Sequence, residues 1–325
     1  MLKRRDFLKL AGAGAAGAFS ISKAAAQVDS WPNKPVKVIV PYAPGGASDI
    51  VARPWAEKLS QAFGQQFVID NRGGAGGAIG TEAAAKSAGD GYTLLLTPNA
   101  TLTTLPHLRA VPYVPGKDLI PIARVGDLVC GFIIHSSVGA KTFAEMLDYA
   151  KKNPGKLNYG SAGLATGTHM RLEMLKYRTG VDIVHVPYRG SADALNDLLP
   201  GNIQMMNEIN PLPHVKAGRL ILLNVNNPER SPDFPDTPTL TELGLKNSDS
   251  PLWYSVLAPG GTPKEIMAKL NAKIVEIAKT DDMKKRMREI SVQVPLQTQE
   301  QVLAFWKQDS DTNAELIKAA KIKLE

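Results

Sequence analysis

The sequence of 325 residues contains a single cysteine, Cys130, and only five histidines. One cysteine excludes an internal disulfide, so the fold must depend on its hydrophobic core. The histidines are scattered, and none belongs to an H-E-x-x-H sequence or to a paired metal-ligand spacing. The sequence therefore indicates neither a disulfide framework nor a metal site, and we expect no cofactor.

Enzyme motifs are missing as well. There is no G-x-x-x-x-G-K-[ST] sequence, and the G-x-G-x-x-G match at residues 12–17 lacks the preceding strand that dinucleotide binding requires. Residues 159–163 resemble the G-x-S-x-G turn of hydrolases, but Tyr159 replaces its first glycine. A hydrolase that uses Ser161 and His169 is the competing interpretation, and no oriented acid accompanies them. We expect no catalytic activity.

The chain also lacks a block of basic residues. Its formal charge is +7, but five of the 38 basic residues and one of the 31 acidic residues lie in residues 1–26. The remainder therefore carries a charge near +3. Because no basic stripe with interleaved aromatic residues remains, we expect no nucleic-acid partner.

Residues 1–26 have the pattern of an export signal. The sequence KRRDFLK at residues 3–9 is a twin-arginine motif, and a short apolar segment rich in alanine and glycine follows it. That segment is too short and too rich in glycine to span a bilayer stably. Ala24-Ala25-Ala26 offers a cleavage site. We expect a periplasmic protein, exported by the twin-arginine route and cleaved near Ala26-Gln27.

The rest of the chain alternates between short apolar strands and helices. This pattern predicts an α/β fold with a parallel or mixed sheet and with ligands at the carboxyl ends of strands. The predicted strands are residues 36–40, 67–69, 92–96, 131–134, 183–186, 203–206 and 220–223. The predicted helices are residues 49–63, 78–88, 142–152, 168–179, 191–199, 212–217, 264–279, 281–290 and 298–320.

Two segments are predicted to cross between lobes. Residues 122–134 form a long apolar strand interrupted around Gly126-Asp127, and residues 252–259 form another strand that ends in a turn. Two crossings predict one discontinuous lobe of residues 27–126 plus 251–325 and a second lobe of residues 127–250. The ligand would then lie in the cleft between the lobes.

The first candidate binding loop connects a strand to a helix. Its glycines permit close approach of the backbone to a ligand, and the helix start that follows presents unpaired N–H groups suited to a carboxylate. An ordinary tight turn is the alternative. Asp49 is expected to cap or brace the loop, since it would repel an anion. The loop consists of Gly45, Gly46, Ala47, Ser48 and Asp49.

A second loop, residues 160–169, has the same design in the other predicted lobe. Glycines and hydroxyl side chains again precede a helix. His169 either closes over the ligand or lies on the helix surface. Two further strand ends add candidates: Asn99 follows one strand, and Arg189 follows another, where a solvated surface role is the alternative. The candidates in the second loop are Ser161, Gly163, Thr166, Thr168 and His169.

These motifs together resemble the Bug-type periplasmic solute receptors of tripartite tricarboxylate transporters. The resemblance extends over nearly all of the chain after the signal segment. It implies a two-lobed, Venus-flytrap fold of the type II periplasmic class, with a ligand carboxylate held between the two loops. The segments that show the resemblance are "KPVKVIVPYAPGGASDIVAR", "VIDNRGGAGGAIGTEAAAKSAGDGYTLLL", "LNYGSAGLATGTHM", "VHVPYRGSADALNDLLPGNIQ", "LPHVKAGRL", "RSPDFPDTPTLTELGL" and "WYSVLAPGGTP".

Residues 205–213 depart from the family pattern and place Glu208 at the expected floor of the cleft. A glutamate there would favour a ligand with a cationic or hydroxyl group at its distal end. A glutamate that points to solvent is the alternative.

The resemblance implies a monomeric receptor that captures a small organic carboxylate and delivers it to the subunits of a membrane permease. A periplasmic sensing module that acts on a membrane signalling partner is the alternative function. The sequence does not distinguish the two.

Overall fold

The computed structural model of the chain describes residues 30–246, 248 and 250–323, so the predicted export signal lies outside the described residues. This part contains eleven strands and eleven α-helices. The strands are β1 (Val36–Val40), β2 (Phe67–Asn71), β3 (Thr93–Pro98), β4 (Leu119–Leu128), β5 (Ile133–His135), β6 (Asn158–Ser161), β7 (Val184–Pro187), β8 (Met205–Met206), β9 (Leu220–Leu222), β10 (Trp253–Pro259) and β11 (Val292–Gln293). The helices are α1 (Ala47–Phe63), α2 (Ala78–Ala85), α3 (Ala100–Thr103), α4 (Leu105–Leu108), α5 (Phe143–Lys152), α6 (Gly167–Thr179), α7 (Ser191–Leu198), α8 (Leu212–Lys216), α9 (Lys264–Lys279), α10 (Asp281–Glu289) and α11 (Gln299–Ala319).

The strands form two mixed sheets. The first has the order β11-β4-β10-β3-β1-β2, in which β1 runs parallel to β2 and β3 while β10 runs antiparallel to β3 and β4. The second has the order β7-β6-β8-β5-β9, with β6 parallel to β7 and β8. The predicted two-lobed α/β fold with mixed sheets is confirmed.

The chain passes between the sheets twice. It leaves the first sheet after β4 and enters the second at β5, and it returns between β9 and β10. Each sheet therefore marks one lobe, with the second lobe inserted into the first. The exact lobe boundaries, at residues 126/127 and 250/251, stay a prediction.

Burial explains why the sequences of the central strands are almost continuously apolar. All seven residues of β10 are buried, and so are four of the five residues of β1. Helices cover both faces of such a sheet, so neither face has to be polar. Trp55 of α1 packs against this sheet, and its indole N–H donates to the carbonyl of Val125 at 3.0 Å.

The predicted helices agree with those observed to within about two residues at most of their ends. At α11, the Thr298 side chain accepts from the N–H of Gln301, and the Gln301 side chain accepts from the N–H of Thr298, as the capping-box spacing predicts. Other elements differ from the expectation. Helices α3 and α4 and strands β6 and β11 were not among the predicted elements. The interruption expected around Gly126-Asp127 is wrong: β4 continues through both residues, and the chain leaves it only afterwards, with buried Cys130 between β4 and β5. No helix in the described ranges is both long and apolar enough to cross a membrane.

Candidate functional site

A small cavity lies between the two lobes, where loops from both sheets meet. Its volume is about 30 Å³. The first lobe and the segment leading into β10 contribute Tyr42, Gly46, Ala47, Ser48, Pro98, Asn99, Leu252 and Tyr254, and the second lobe contributes Ala162, Thr166, Gly167, Thr168, Ser191 and Glu208. Seven of the predicted site residues are thus brought together here: Gly46, Ala47, Ser48, Asn99, Thr166, Thr168 and Glu208.

The first loop brings the start of α1 to the cavity wall. Gly46 is the N-cap residue, and the N–H of Ala47 donates across the cleft to the Ser191 hydroxyl at 3.0 Å. A Cβ at Gly46 would lie 3.2 Å from that hydroxyl oxygen, which explains the glycine. The next N–H groups, of Ser48 and Asp49, have no acceptor within the helix, so they give this wall a partial positive charge.

Asp49 is turned away from the cavity and braces the loop. Its carboxylate accepts from the Gly45 N–H at 3.0 Å, from Arg53 through two nitrogens, and from Asn71. Burial acts to raise the pKa of Asp49, but the hydrogen bonds from Arg53, Gly45 and Asn71 outweigh it and lower that pKa. The carboxylate is therefore ionised. Its hydrogen bonds fix the loop at Gly45, which has a φ of +75°.

Replacing Asp49 by asparagine is expected to lower the free energy of unfolding by about 1–3 kcal/mol, because an amide presents N–H groups to donors that need an acceptor. Urea denaturation at pH 7 measures the change. Asp70→Asn is the matched control, since Asp70 contacts only the exposed side chains of Lys37 and Arg72 and its loss should change stability by less than about 0.5 kcal/mol. Equal effects of the two substitutions would contradict the bracing role.

The second loop brings the start of α6 to the opposite wall. Thr166 caps the helix by accepting from the N–H of His169 at 3.3 Å, and the Thr168 hydroxyl accepts from the N–H of Ala162 at 3.1 Å. Gly167 packs closely against the first lobe, since a Cβ there would lie 2.5 Å from the Leu252 side chain. The N-terminal turn of α6 therefore faces that of α1 across the cavity.

Ser161 and His169 are not in the cavity wall. Ser161 is fully buried, and its hydroxyl lies 2.6 Å from Nε2 of His185 and 3.1 Å from the N–H of Gly163. The His169 ring stacks on that of His185 at 4.0 Å, and its Nδ1 accepts from the N–H of Ala165. His169 is therefore neither a surface residue nor a residue that closes over the cavity.

Both rings are neutral under ordinary conditions. Burial lowers the pKa of His169, and burial together with the adjacent His169 ring lowers the pKa of His185 to about 3. Ser161 and these two histidines hold the second loop in shape. The buried position of the Ser161 hydroxyl also argues against its use as a nucleophile.

Arg189 and Gly163 line a different cavity, of about 460 Å³, which adjoins the first at Tyr42 and Ala162. Arg189 is thus placed beside the small cavity and not in its wall. Gly163 has a φ of +126°, and a Cβ there would lie 3.1 Å from the carbonyl oxygen of Tyr188, so its role is to shape the loop.

Glu208 lies in the cavity wall immediately after β8 and is only 4% exposed. The alternative of a solvent-facing glutamate is therefore wrong. Its Oε2 atom has no hydrogen-bond partner, and burial raises the pKa of the carboxyl to about 8. No lysine, arginine or histidine is among the described residues that line this cavity.

Seven wall residues were not among the predicted site residues, and three of these carry hydroxyl groups: Tyr42, Ser191 and Tyr254. The Tyr254 hydroxyl lies 3.1 Å from the Ser48 hydroxyl, and that of Tyr42 donates to the carbonyl of Gly76. The position of Ser191 in the wall could have been predicted from the sequence, since this residue follows a strand end and begins a helix. The tyrosines carry no comparable local signal.

The arrangement is suited to binding an anion. Helices α1 and α6 direct their N-terminal ends at one buried space from opposite lobes, and the Ser191 hydroxyl at the start of α7 adds a third polar group. No group of three or more histidine, cysteine or acidic side chains in the described part of the chain could hold a metal ion.

The chain is similar to known periplasmic proteins. A solved structure described as a periplasmic transporter is 36% identical, covers 91% of this chain and 100% of its own, and superposes with a TM-score of 0.88. A protein of R. palustris solved with adipate is 31% identical, covers 90% of this chain and 99% of its own, and has a TM-score of 0.87. The protein BugT of Bordetella pertussis is 37% identical over 252 residues, which are 76% of this chain and 77% of BugT.

The sequence model of the family described as "Tripartite tricarboxylate transporter family receptor" matches residues 51–322. The resemblance based on the loop motifs is thereby confirmed. The chain belongs to the tripartite tricarboxylate transporter receptor family, whose members are periplasmic solute receptors.

Proposed function

We propose that this protein binds a small organic acid between its lobes and delivers it to the membrane subunits of a tripartite transporter, without catalysis. The observation that carries the proposal is the meeting of two helix N-termini, from α1 and α6, in one buried cavity. Each terminus favours negative charge, and each offers N–H donors. The adipate seen with the R. palustris relative is a ligand of the same chemical class.

The carboxylate would accept from the N–H groups of Ser48 and Asp49 on one side and of Gly167 and Thr168 on the other. Four such charge-assisted hydrogen bonds at about 1.5–3 kcal/mol each approach the ~8 kcal/mol of micromolar binding. Residues of both lobes would then contact one ligand, so binding and closure of the lobes are coupled. We further propose that the receptor acts as a monomer and reaches the periplasm through the twin-arginine signal of residues 1–26.

A thermal-shift screen of mono- and dicarboxylates tests this function. A ligand that binds only the folded state at about 100 times its Kd stabilises the protein by about 2.7 kcal/mol, so its melting temperature should rise by roughly 5 °C or more. Neutral amides of the same acids and a set of sugars are the controls, and they should give no shift. A shift with a sugar but with no carboxylate would contradict the proposal.

A further inference from the structure

Glu208 is a buried acid in a cavity wall that contains no cationic side chain among the described residues. The side chain is 96% buried, and its Oε2 atom lies in the cavity wall without a hydrogen-bond partner. Within the described part of the chain, the backbone N–H of Ile209 favours its ionised form. A buried carboxyl with an unpaired oxygen is destabilising unless another molecule supplies the missing donor.

The tyrosines and the cysteine around Glu208 are neutral. Tyr42, Tyr159, Tyr254 and Cys130 each interact electrostatically with its carboxylate, and each has a raised pKa because of burial. Arg171 acts on Tyr159 and Cys130, but it donates to the carbonyl of Ser248 and does not line the cavity. Among the described residues, no positively charged side chain lines the cavity beside Glu208.

A second acceptor in the same wall is also unpaired. The amide nitrogen of Asn99 donates to Asp309 at 3.1 Å, which fixes the orientation of the amide and leaves Oδ1 without a partner. The cavity thus combines N–H donors at the helix termini with two buried acceptors, Asn99 Oδ1 and Glu208 Oε2. This pattern is complementary to a molecule that has an anionic group and a hydrogen-bond donor.

We infer that the ligand is an amino-substituted carboxylic acid whose protonated amine binds Glu208 while its carboxylate lies at the N-termini of α1 and α6. An ammonium group has three donors and a full charge, so it satisfies the unpaired oxygen and stabilises the ionised form of the Glu208 carboxyl, which gives up its proton on binding. This inference rests on the proposed function and narrows it to zwitterionic acids. A hydroxyl group would supply a donor but no charge.

Matched ligand pairs test the inference by isothermal titration calorimetry. Each pair consists of an amino acid and the same acid without its amine: 4-aminobutyrate and butyrate, β-alanine and propionate, glutamate and glutarate, aspartate and succinate. At least one amino member should bind at least about tenfold more tightly than its partner. Hydroxy acids of the same length should fall between the two.

The Glu208→Gln variant removes the charge and keeps the size of the side chain. It should weaken binding of the preferred amino acid by about tenfold or more and leave the affinity for the partner acid within about twofold. Glu276→Gln is a control variant, because Glu276 lies on α9 outside the cavity and pairs with Lys273. It should change neither affinity.

Proton exchange on binding gives a second readout that needs no variant. Because burial raises the pKa of the Glu208 carboxyl to about 8, about half of the molecules carry its proton at pH 8. Binding of an ammonium group should release about half a proton at that pH, seen as a dependence of the binding heat on the ionisation enthalpy of the buffer. Uptake of a proton would place an anionic group against Glu208 and overturn the inference.

The outcomes separate the inference from the proposed function. If unsubstituted acids bind as tightly as amino acids, or if Glu208→Gln leaves the preference unchanged, the inference is wrong while the carboxylate receptor stands. If no carboxylate of either kind binds, the proposed function fails and this inference fails with it.

Discussion

The Gly46→Val variant should bind its carboxylate ligand at least about 100-fold more weakly than the wild type. A Cβ at Gly46 would lie 3.2 Å from the Ser191 hydroxyl and 3.6 Å from the Ser191 nitrogen. The valine methyl groups extend further, so they would hold the lobes apart and displace the ligand from the N–H groups of α1. Overpacking costs about 1–3 kcal/mol, and the loss of one charge-assisted hydrogen bond costs about 1.5–3 kcal/mol. Together they correspond to a loss of affinity of about a hundredfold or more.

The same substitution should have little effect on folding. Gly46 has φ −80° and ψ 173°, which valine adopts without strain, and glycine provides no side-chain cap to α1. Loss of a favourable N-cap residue is worth about 1 kcal/mol, so the melting temperature should fall by only a few degrees. Gly46→Ala is the graded control, with a single added carbon and an intermediate loss of affinity. Affinity within tenfold of the wild type in Gly46→Val would contradict the role of this loop.

Residues that follow strand ends could be placed from the sequence. Gly46 and Ser48 follow β1, Asn99 follows β3, Thr168 lies beyond β6, and Glu208 follows β8. The carboxyl ends of the parallel strands meet at one edge of each sheet, and a strand–helix alternation reveals that edge without knowledge of the packing. All five residues line the cavity.

Tyr254 could not be found in this way. It lies inside β10, which runs antiparallel to its neighbours and pairs with Pro98 of β3. Only this register brings its hydroxyl to Ser48. The stacking of His169 on His185 likewise joins residues from α6 and β7, which are separate in the sequence. The sequence pattern of neither element predicts this contact.

Helices α3 and α4 were missed for a different reason. Their sequence is rich in threonine and contains a proline, so its intrinsic helix propensity is low. Contacts with distant segments hold them instead: Asp309 of α11 accepts from Asn99 and from the Thr103 hydroxyl, and Tyr113 donates to the carbonyl of Thr101. Tertiary contacts of this kind outweigh the local preference.

Glu208 should also make the stability of the ligand-free protein depend on pH. Its pKa is raised from 4.5 to about 8 in the folded state, so the folded protein binds more protons than the unfolded chain between these values. The free energy of unfolding therefore falls as pH rises through this window, by at most about 1.4 kcal/mol per pH unit and roughly 5 kcal/mol in all. The neighbouring Tyr42, Tyr159, Tyr254 and Cys130 have raised pKa values and stay neutral throughout.

The comparison with Glu208→Gln isolates this effect from that of the buried histidines. His185 has a lowered pKa of about 3, so its contribution has the opposite sign, and stability is lost as pH falls below about 6.5. Both proteins contain His185, and its contribution cancels in their difference. Urea denaturation at pH 5, 6, 7, 8 and 9 should show a stability advantage of Glu208→Gln that grows with pH and levels off above pH 8. A difference that is constant across this range would mean that the Glu208 carboxyl ionises with its ordinary pKa, and that the ligand-free cavity stabilises the charge by itself.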